Sequence, residues 1–163
     1  MADNEECPMC NDDQIGGKAA VVSHLIEWVD LKEDIFIITV QESEKHPQFS
    51  YTIGMEKNFH TPEIVVYGLP TKSAHAILNT IKDMVGGGWD IEIDKKVPGI
   101  AHDYDTVFKE FPVERVEGVF NLALWYYRDH SFRTIQAIWP DEHNIFPWEE
   151  GYDEKFREFQ RMP

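Results

Sequence analysis

Two β-rich runs separated by a short turn-forming stretch constrain this chain more than any other feature. Ile35 to Glu42 is β-branched and aromatic over most of its length, the composition of a buried strand. Glu42-Ser43-Glu44-Lys45-His46-Pro47 breaks it as a turn, and Phe49 to Ile53 resumes as a second strand, so the two most simply form an antiparallel hairpin. Gly54 ends that strand. A third short strand is expected from Ile64 to Tyr67, closing at Gly68.

Helical periodicity flanks this unit. After Gly16-Gly17, the residues Val21, Val22, Leu25, Ile26 and Val29 recur on one face, with Ser23, Glu27 and Asp30 opposite. Pro70-Thr71 opens a second helix, with Thr71 the expected N-cap and Ala74, Ile77, Leu78, Ile81 and Val85 its buried stripe. Gly86-Gly87-Gly88 stops it, because three glycines cost too much backbone entropy for a helix to continue. Strands are expected at Ile91–Val97, Thr106–Val116 (interrupted at Phe111-Pro112) and Thr134–Trp139, and a short aromatic helix at Phe120–Tyr127. In the last strand, Ile135, Ala137 and Trp139 share one face and Gln136 and Ile138 the other. The order predicts an α+β fold: a mixed or mainly antiparallel sheet with helices packed on one face.

The 163 residues suit one domain, with no repeat, low-complexity tract or linker. The expected divisions are a mobile segment at 1–15, a single domain at 16–152, and a charged tail at 153–163 with Phe156 and Phe159 at helical spacing. Thirty acidic against 15 basic residues give a net charge of −15, which repels phosphate backbones and argues against nucleic-acid partners. The apolar run Ile35–Val40 is too short to cross a membrane, and the polar, acidic N-terminus lacks a signal-peptide core. Two cysteines are too few for a disulfide scaffold, which agrees with a reducing, cytoplasmic setting.

Four groups of residues could carry chemistry. Cys7 and Cys10 form a C-x-x-C. Zinc needs four ligands and a redox motif needs a preceding strand, so a flexible thiol pair is the favoured reading, zinc second and redox catalysis third. His60 and Glu63 could act as a base with an orienting acid, or simply be polar groups of a turn. His102, Asp103 and Asp105 crowd an imidazole and two carboxylates into four positions, a metal candidate or a solvated acidic loop. The stretch Ile135–Tyr152 combines Trp139 and Trp148 with Asp141 and further acids. No phosphate-binding glycine loop, nucleophile elbow or H-E-x-x-H is present.

Taken in order, "YTIGM", "PEIVVYGLP", "ILN" and "IQAIWPD…FPWE" resemble a bacterial family, domain of unknown function 4262, over about residues 7–152. The resemblance implies family positions at Tyr51, Thr52, Gly54, Pro62, Glu63, Asn79, Gln136, Trp139, Asp141, Pro147 and Trp148, with Cys7 and Cys10 matching a short C-x-x-C. The family's histidine before Pro-Glu is replaced by Thr61, with His60 one place earlier. The expectation is a binding module for a small molecule or peptide, in a cleft between Tyr51–Glu63 and Gln136–Trp148. Tyr51, Asn79, Gln136, Trp139 and Trp148 would contact the ligand. The alternatives are a hydrolase using Glu63 or Asp141 with His60, and an acidic inhibitor or immunity-type protein binding a basic partner.

Overall fold

The computed structural model describes residues 15–163, with side chains from Ala19 onward; the Cys7–Cys10 pair lies outside them. The chain runs through helix α1 (Ile15–Ile26), which widens into a π-type turn at Glu27–Leu31, then strands β1 (Phe36–Val40) and β2 (Phe49–Ile53). A short helix α2 (Met55–Phe59) leads to β3 (Glu63–Tyr67) and the long helix α3 (Thr71–Gly86). Strands β4 (Lys96–Ala101) and β5 (Tyr104–Glu110), helix α4 (Asn121–Tyr127) and β6 (Thr134–Ile138) complete the order.

All six strands join one mixed sheet, β1-β2-β3-β6-β5-β4. The expected hairpin forms, pairing Phe36 with Ile53 through Val40 with Phe49. β3 runs antiparallel to β2 but parallel to β6, with Val65 opposite Gln136. β5 pairs antiparallel with both β6 and β4. Because side chains alternate across a strand, each central strand feeds two cores. Phe49, Tyr51, Ile53, Val65 and Tyr67 pack with Leu25 of α1, Val29 of the turn after it, Phe120 just before α4 and Leu122 within it. Ile64, Val66, Ile135 and Ala137 pack with Ala74, Leu78 and Ile81 of α3. Helices therefore cover both faces of the sheet, correcting the one-face expectation: β2 and β3 are buried along their whole length, and β3 is apolar in both directions, with Val65 and Tyr67 in one core and Ile64 and Val66 in the other.

Other local differences have specific causes. The β4 strand starts at Lys96, not Ile91; Asp94 adopts a left-handed turn (φ 61°), and Ile93 makes only an isolated bridge to Phe108. Pro70 takes the N-cap position of α3, while the Thr71 hydroxyl accepts a hydrogen bond from Gln48 Nε2 at 3.2 Å. Ile26 of the predicted stripe is exposed, because the π-type turn after it rotates the helix face. The tail holds one 3₁₀ turn, Glu154–Phe156, and then packs back on the body. Gln160 is buried, and its side-chain amide both accepts from Trp139 N (2.9 Å) and donates to Trp139 O (2.8 Å). Gly68 makes that return route passable: a Cβ there would lie 2.0 Å from the Phe159 carbonyl oxygen.

Candidate functional site

The tightest convergence of polar groups lies where β2 ends and β3 begins. Gly54, with φ 110°, turns the chain into α2, and a Cβ at that position would meet the Asp34 carbonyl at 2.7 Å. The turn aims the first N–H groups around α2 at one carboxyl, that of Glu63. Glu63 accepts from Gly54 N at 2.9 Å, Glu56 N at 3.2 Å and Met55 N at 3.3 Å. The Thr52 hydroxyl donates at 2.6 Å while itself accepting from Ile64 N at 2.9 Å, and the Tyr127 hydroxyl donates at 2.5 Å. Burial raises the Glu63 pKa from 4.5 to about 7, and the bonds from Thr52, Tyr127 and the backbone oppose it. Tyr127 is pushed well above the usual tyrosine range, by burial and then by the neighbouring Glu63 charge, so it keeps its proton and donates it.

Glu63 is completely buried, but Tyr127 is not. Tyr127 ends α4, where Arg128 adopts φ 62°, and it lines an open pocket of about 570 Å³ with Asp30, Lys57, Tyr126, Arg128 and Ser131. Asp30 there is bonded by both Lys57 and Tyr126, and Lys57 Nζ lies 3.1 Å from the Tyr126 hydroxyl. Partial burial pushes the Asp30 carboxyl up, yet the bonds from Lys57 and Tyr126 outweigh it and leave it below the usual carboxylate range. At the rim, Arg133 forks onto Glu56 through Nε at 3.1 Å and Nη2 at 2.8 Å. The pocket thus presents fixed charges, tyrosine hydroxyls and aromatic edges, with one carboxyl titrating near neutrality behind Tyr127. Such a set can bind and orient a small polar molecule.

The residues expected from sequence take different places. Tyr51 and Gln136 are buried: the Tyr51 hydroxyl accepts from Leu122 N at 3.1 Å, and Gln136 Nε2 donates to Arg161 O at 2.6 Å. Neither can face a ligand in this arrangement. Asn79 is exposed on the outer side of α3, away from the sheet. Trp148 is exposed and stacks on Phe146 at 5.1 Å, with Lys109 Nζ 4.5 Å from its ring centre. Trp139 donates from Nε1 to Tyr67 O at 2.7 Å and walls a smaller apolar groove of about 220 Å³ with Leu69, Ile77 and Phe156. The two segments expected to frame one cleft are instead held apart in the sheet, with β3 lying between β2 and β6. None of the described concavities is lined by both.

Asp141 is covered and accepts three backbone bonds, from His143 N (2.8 Å), Ile145 N (3.0 Å) and Asp153 N (2.9 Å). Covering raises its pKa, but those three donors outweigh it and hold it below the usual range. His60 terminates α2 at φ 54°, is exposed, and offers its carbonyl to Arg133 Nη2 at 2.9 Å. The carboxyls of Glu63 and Asp141 spend their oxygens on the chain itself, which leaves neither aimed at solvent as a base. His102 and Asp103 form the exposed β4–β5 turn, and Asp105 pairs with the Asn144 side chain at 3.0 Å. Among the described residues, no group of three or more His, Cys, Asp or Glu side chains is placed to hold a metal ion.

Sequence reasoning missed Asp30, Lys57, Tyr126 and Tyr127. The pair Tyr126-Tyr127 carried a usable signal, since adjacent helical residues point about 100° apart and cannot both face one core. Lys57 and Asp30 carried none, because they meet only after α2 folds beside the turn that follows α1. Among the described residues, no helix is long and apolar enough to cross a membrane. A family model described as "Domain of unknown function (DUF4262)" matches residues 32–153. No curated protein and no solved structure matches the chain.

Proposed function

The chain belongs to the DUF4262 family, and from that premise we propose that it is a cytoplasmic binding module for a small polar molecule, seated in the pocket at the end of α4. One observation carries this reading: among the described residues, Tyr127 is the single side chain that both lines the pocket and hydrogen-bonds the buried Glu63. Its proton is committed to Glu63 and its oxygen accepts a long bond from Gly54 N at 3.3 Å, so one lone pair is left to accept from a ligand N–H or O–H. Asp30, Glu56 and Ser131 add acceptors around it, and Tyr126 supplies a flat apolar surface. The pocket volume lies within the range typical of small-molecule sites, roughly 300–1,000 Å³. The cytoplasmic setting rests on the scarcity of cysteine in the chain.

The family positions Thr52, Gly54 and Glu63 support the same reading from beneath. They fix the wall of the pocket and need not touch its contents. A fragment library of small amines, amides and alcohols, titrated against the labelled protein and followed by amide and side-chain NMR, tests the proposal. Shifts should cluster on Asp30, Lys57, Tyr126, Tyr127 and Ser131 and weaken sharply in Tyr127→Phe. Shifts confined to the Trp139 groove, or a Tyr127→Phe protein that binds unchanged, would overturn it.

A further inference from the structure

The sheet has two edges, and they are treated in opposite ways. At β4 the edge carries Pro98, which has no N–H to offer, Lys96 within the strand and Lys95 before it, and a register irregularity between Val97 and Ala101. Each of these features discourages an added strand. Within the β1 strand there is none of them, and its nearest lysines, Lys32 and Lys45, lie beyond its ends. Its sequence, Phe-Ile-Ile-Thr-Val, contains no charge, proline or glycine, and its register with β2 is unbroken over all five residues. Four of the five are only partly buried, whereas every residue of the interior strands β2 and β3 is buried. Among the described residues, no backbone group outside the β2 ladder bonds to Phe36–Val40.

Both faces beside this edge are already built. Phe36 and Val40 extend the core under α1, and Ile37 extends the core under α3. Thr39 Oγ1, on the α3 side, meets Ser50 Oγ at 2.8 Å and His75 Nε2 at 3.1 Å. An incoming strand would therefore find an apolar neighbour on either face for its alternating side chains. The ends of the edge are acidic on balance: exposed Glu33 precedes β1 and exposed Glu42 and Glu44 follow it, while Lys32 is paired with Glu27 at 3.1 Å and Lys45 offsets part of the charge beside Glu44. With a net charge of −15, the protein disfavours a second copy of itself at this place and favours a cationic guest.

We infer that β1 is a docking edge for an extended peptide segment of a partner protein, with apolar or β-branched residues at alternate positions and Lys or Arg at its ends. Backbone hydrogen bonds would supply the affinity and the acidic flanks the selectivity. This site is remote in role from the α4 pocket, and either can fail without the other.

The test uses a synthetic peptide of alternating valine and threonine flanked by two lysines at each end, titrated against the full chain. Amide hydrogen exchange at Phe36–Val40 should slow, and affinity should fall at least about tenfold when salt rises to about 0.5 M. Exchanging the flanking lysines for glutamates, or making Glu42→Lys with Glu44→Lys in the protein, should weaken binding comparably while leaving the fold's thermal midpoint near its original value. N-methylation along one edge of the peptide should abolish binding. Absence of protection at β1, or protection elsewhere, overturns the proposal. So does protection at β1 in peptide-free protein that grows with protein concentration, which would assign the edge to a second copy. Loss of β1 protection on removal of residues 1–14 alone would likewise overturn it, by assigning the edge to the chain itself.

Discussion

Glu63 and Asp141 are two covered carboxyls, each receiving three backbone N–H bonds, and they shift in opposite directions. Glu63 rises to about 7, and Asp141 falls below the usual carboxylate range. The donor count does not separate them, since Glu63 has two more donors and is still the weaker acid. Depth does. Glu63 sits between the sheet and α4, where the anion loses its hydration from every side. Asp141 takes all three of its backbone donors from its own loop, at His143, Ile145 and Asp153, and lines the open groove beside Trp139. The same side-chain chemistry serves one place as a loop clasp and the other as a titrating group beneath a pocket.

The largest break in this comparison is expected at Glu63. Its folded pKa is raised, so the native state holds the proton more tightly than the unfolded chain. Stability is full below about pH 4.5 and is lost as pH rises through 7. The shift from 4.5 to about 7 corresponds to about 3 kcal/mol of stability lost by pH 8. Urea melts across that interval should show the decline, and Glu63→Gln should flatten it. A wild-type profile that is flat from pH 5 to pH 8 would remove the depth argument.

Asp141 should behave in the opposite sense and less strongly. Asp141→Asn leaves at least one of three backbone donors facing an amide N–H, at a cost of about 2 kcal/mol at neutral pH. Because the native pKa of Asp141 is depressed, that contribution is present above about pH 4 and disappears as pH falls further. The gap between mutant and wild type should therefore close in acid. A gap that stays constant down to pH 2 would sink the assignment.

The smallest effect is expected at Tyr127. Removing its hydroxyl costs about 1 kcal/mol and takes one donor from the Glu63 anion. The Glu63 midpoint, followed by carboxyl carbon NMR, should move further up in Tyr127→Phe, whereas a downward move would show that the hydroxyl favours the protonated acid.

The sheet was largely legible in the sequence. The β1–β2 hairpin, β3, β6, α3 and α4 fall where periodicity and composition predict them, because each has a strong local pattern bounded by glycine, proline or a polar turn. The two-sided cover is foreshadowed by the continuous apolar run of β3, a signal that the order of elements alone does not carry. The β4 start was not legible, since Ile91-Glu92-Ile93-Asp94 alternates like a strand and is overruled by the left-handed turn at Asp94. At the site, motif residues were the wrong guide to contact. Thr52, Gly54, Glu63, Gln136 and Asp141 are buried and bonded to the chain itself, so they hold it together from inside. The pocket walls come from α1, α2 and α4, and no local pattern could join Asp30 to Tyr126 across that distance in sequence.

The parallel contact between β3 and β6 has a consequence for how the molecule assembles. It is the ladder with the greatest sequence gap, and it joins a three-stranded half, β1-β2-β3, to a second half, β6-β5-β4. Each half is built from antiparallel neighbours much closer in sequence, which lets it organise before the seam closes. Until it does, Ile64, Val66, Ile135 and Ala137 stand on two open, apolar edges. The slow step of folding, and the window for misassembly, should therefore lie at the centre of the finished sheet and not at its rims.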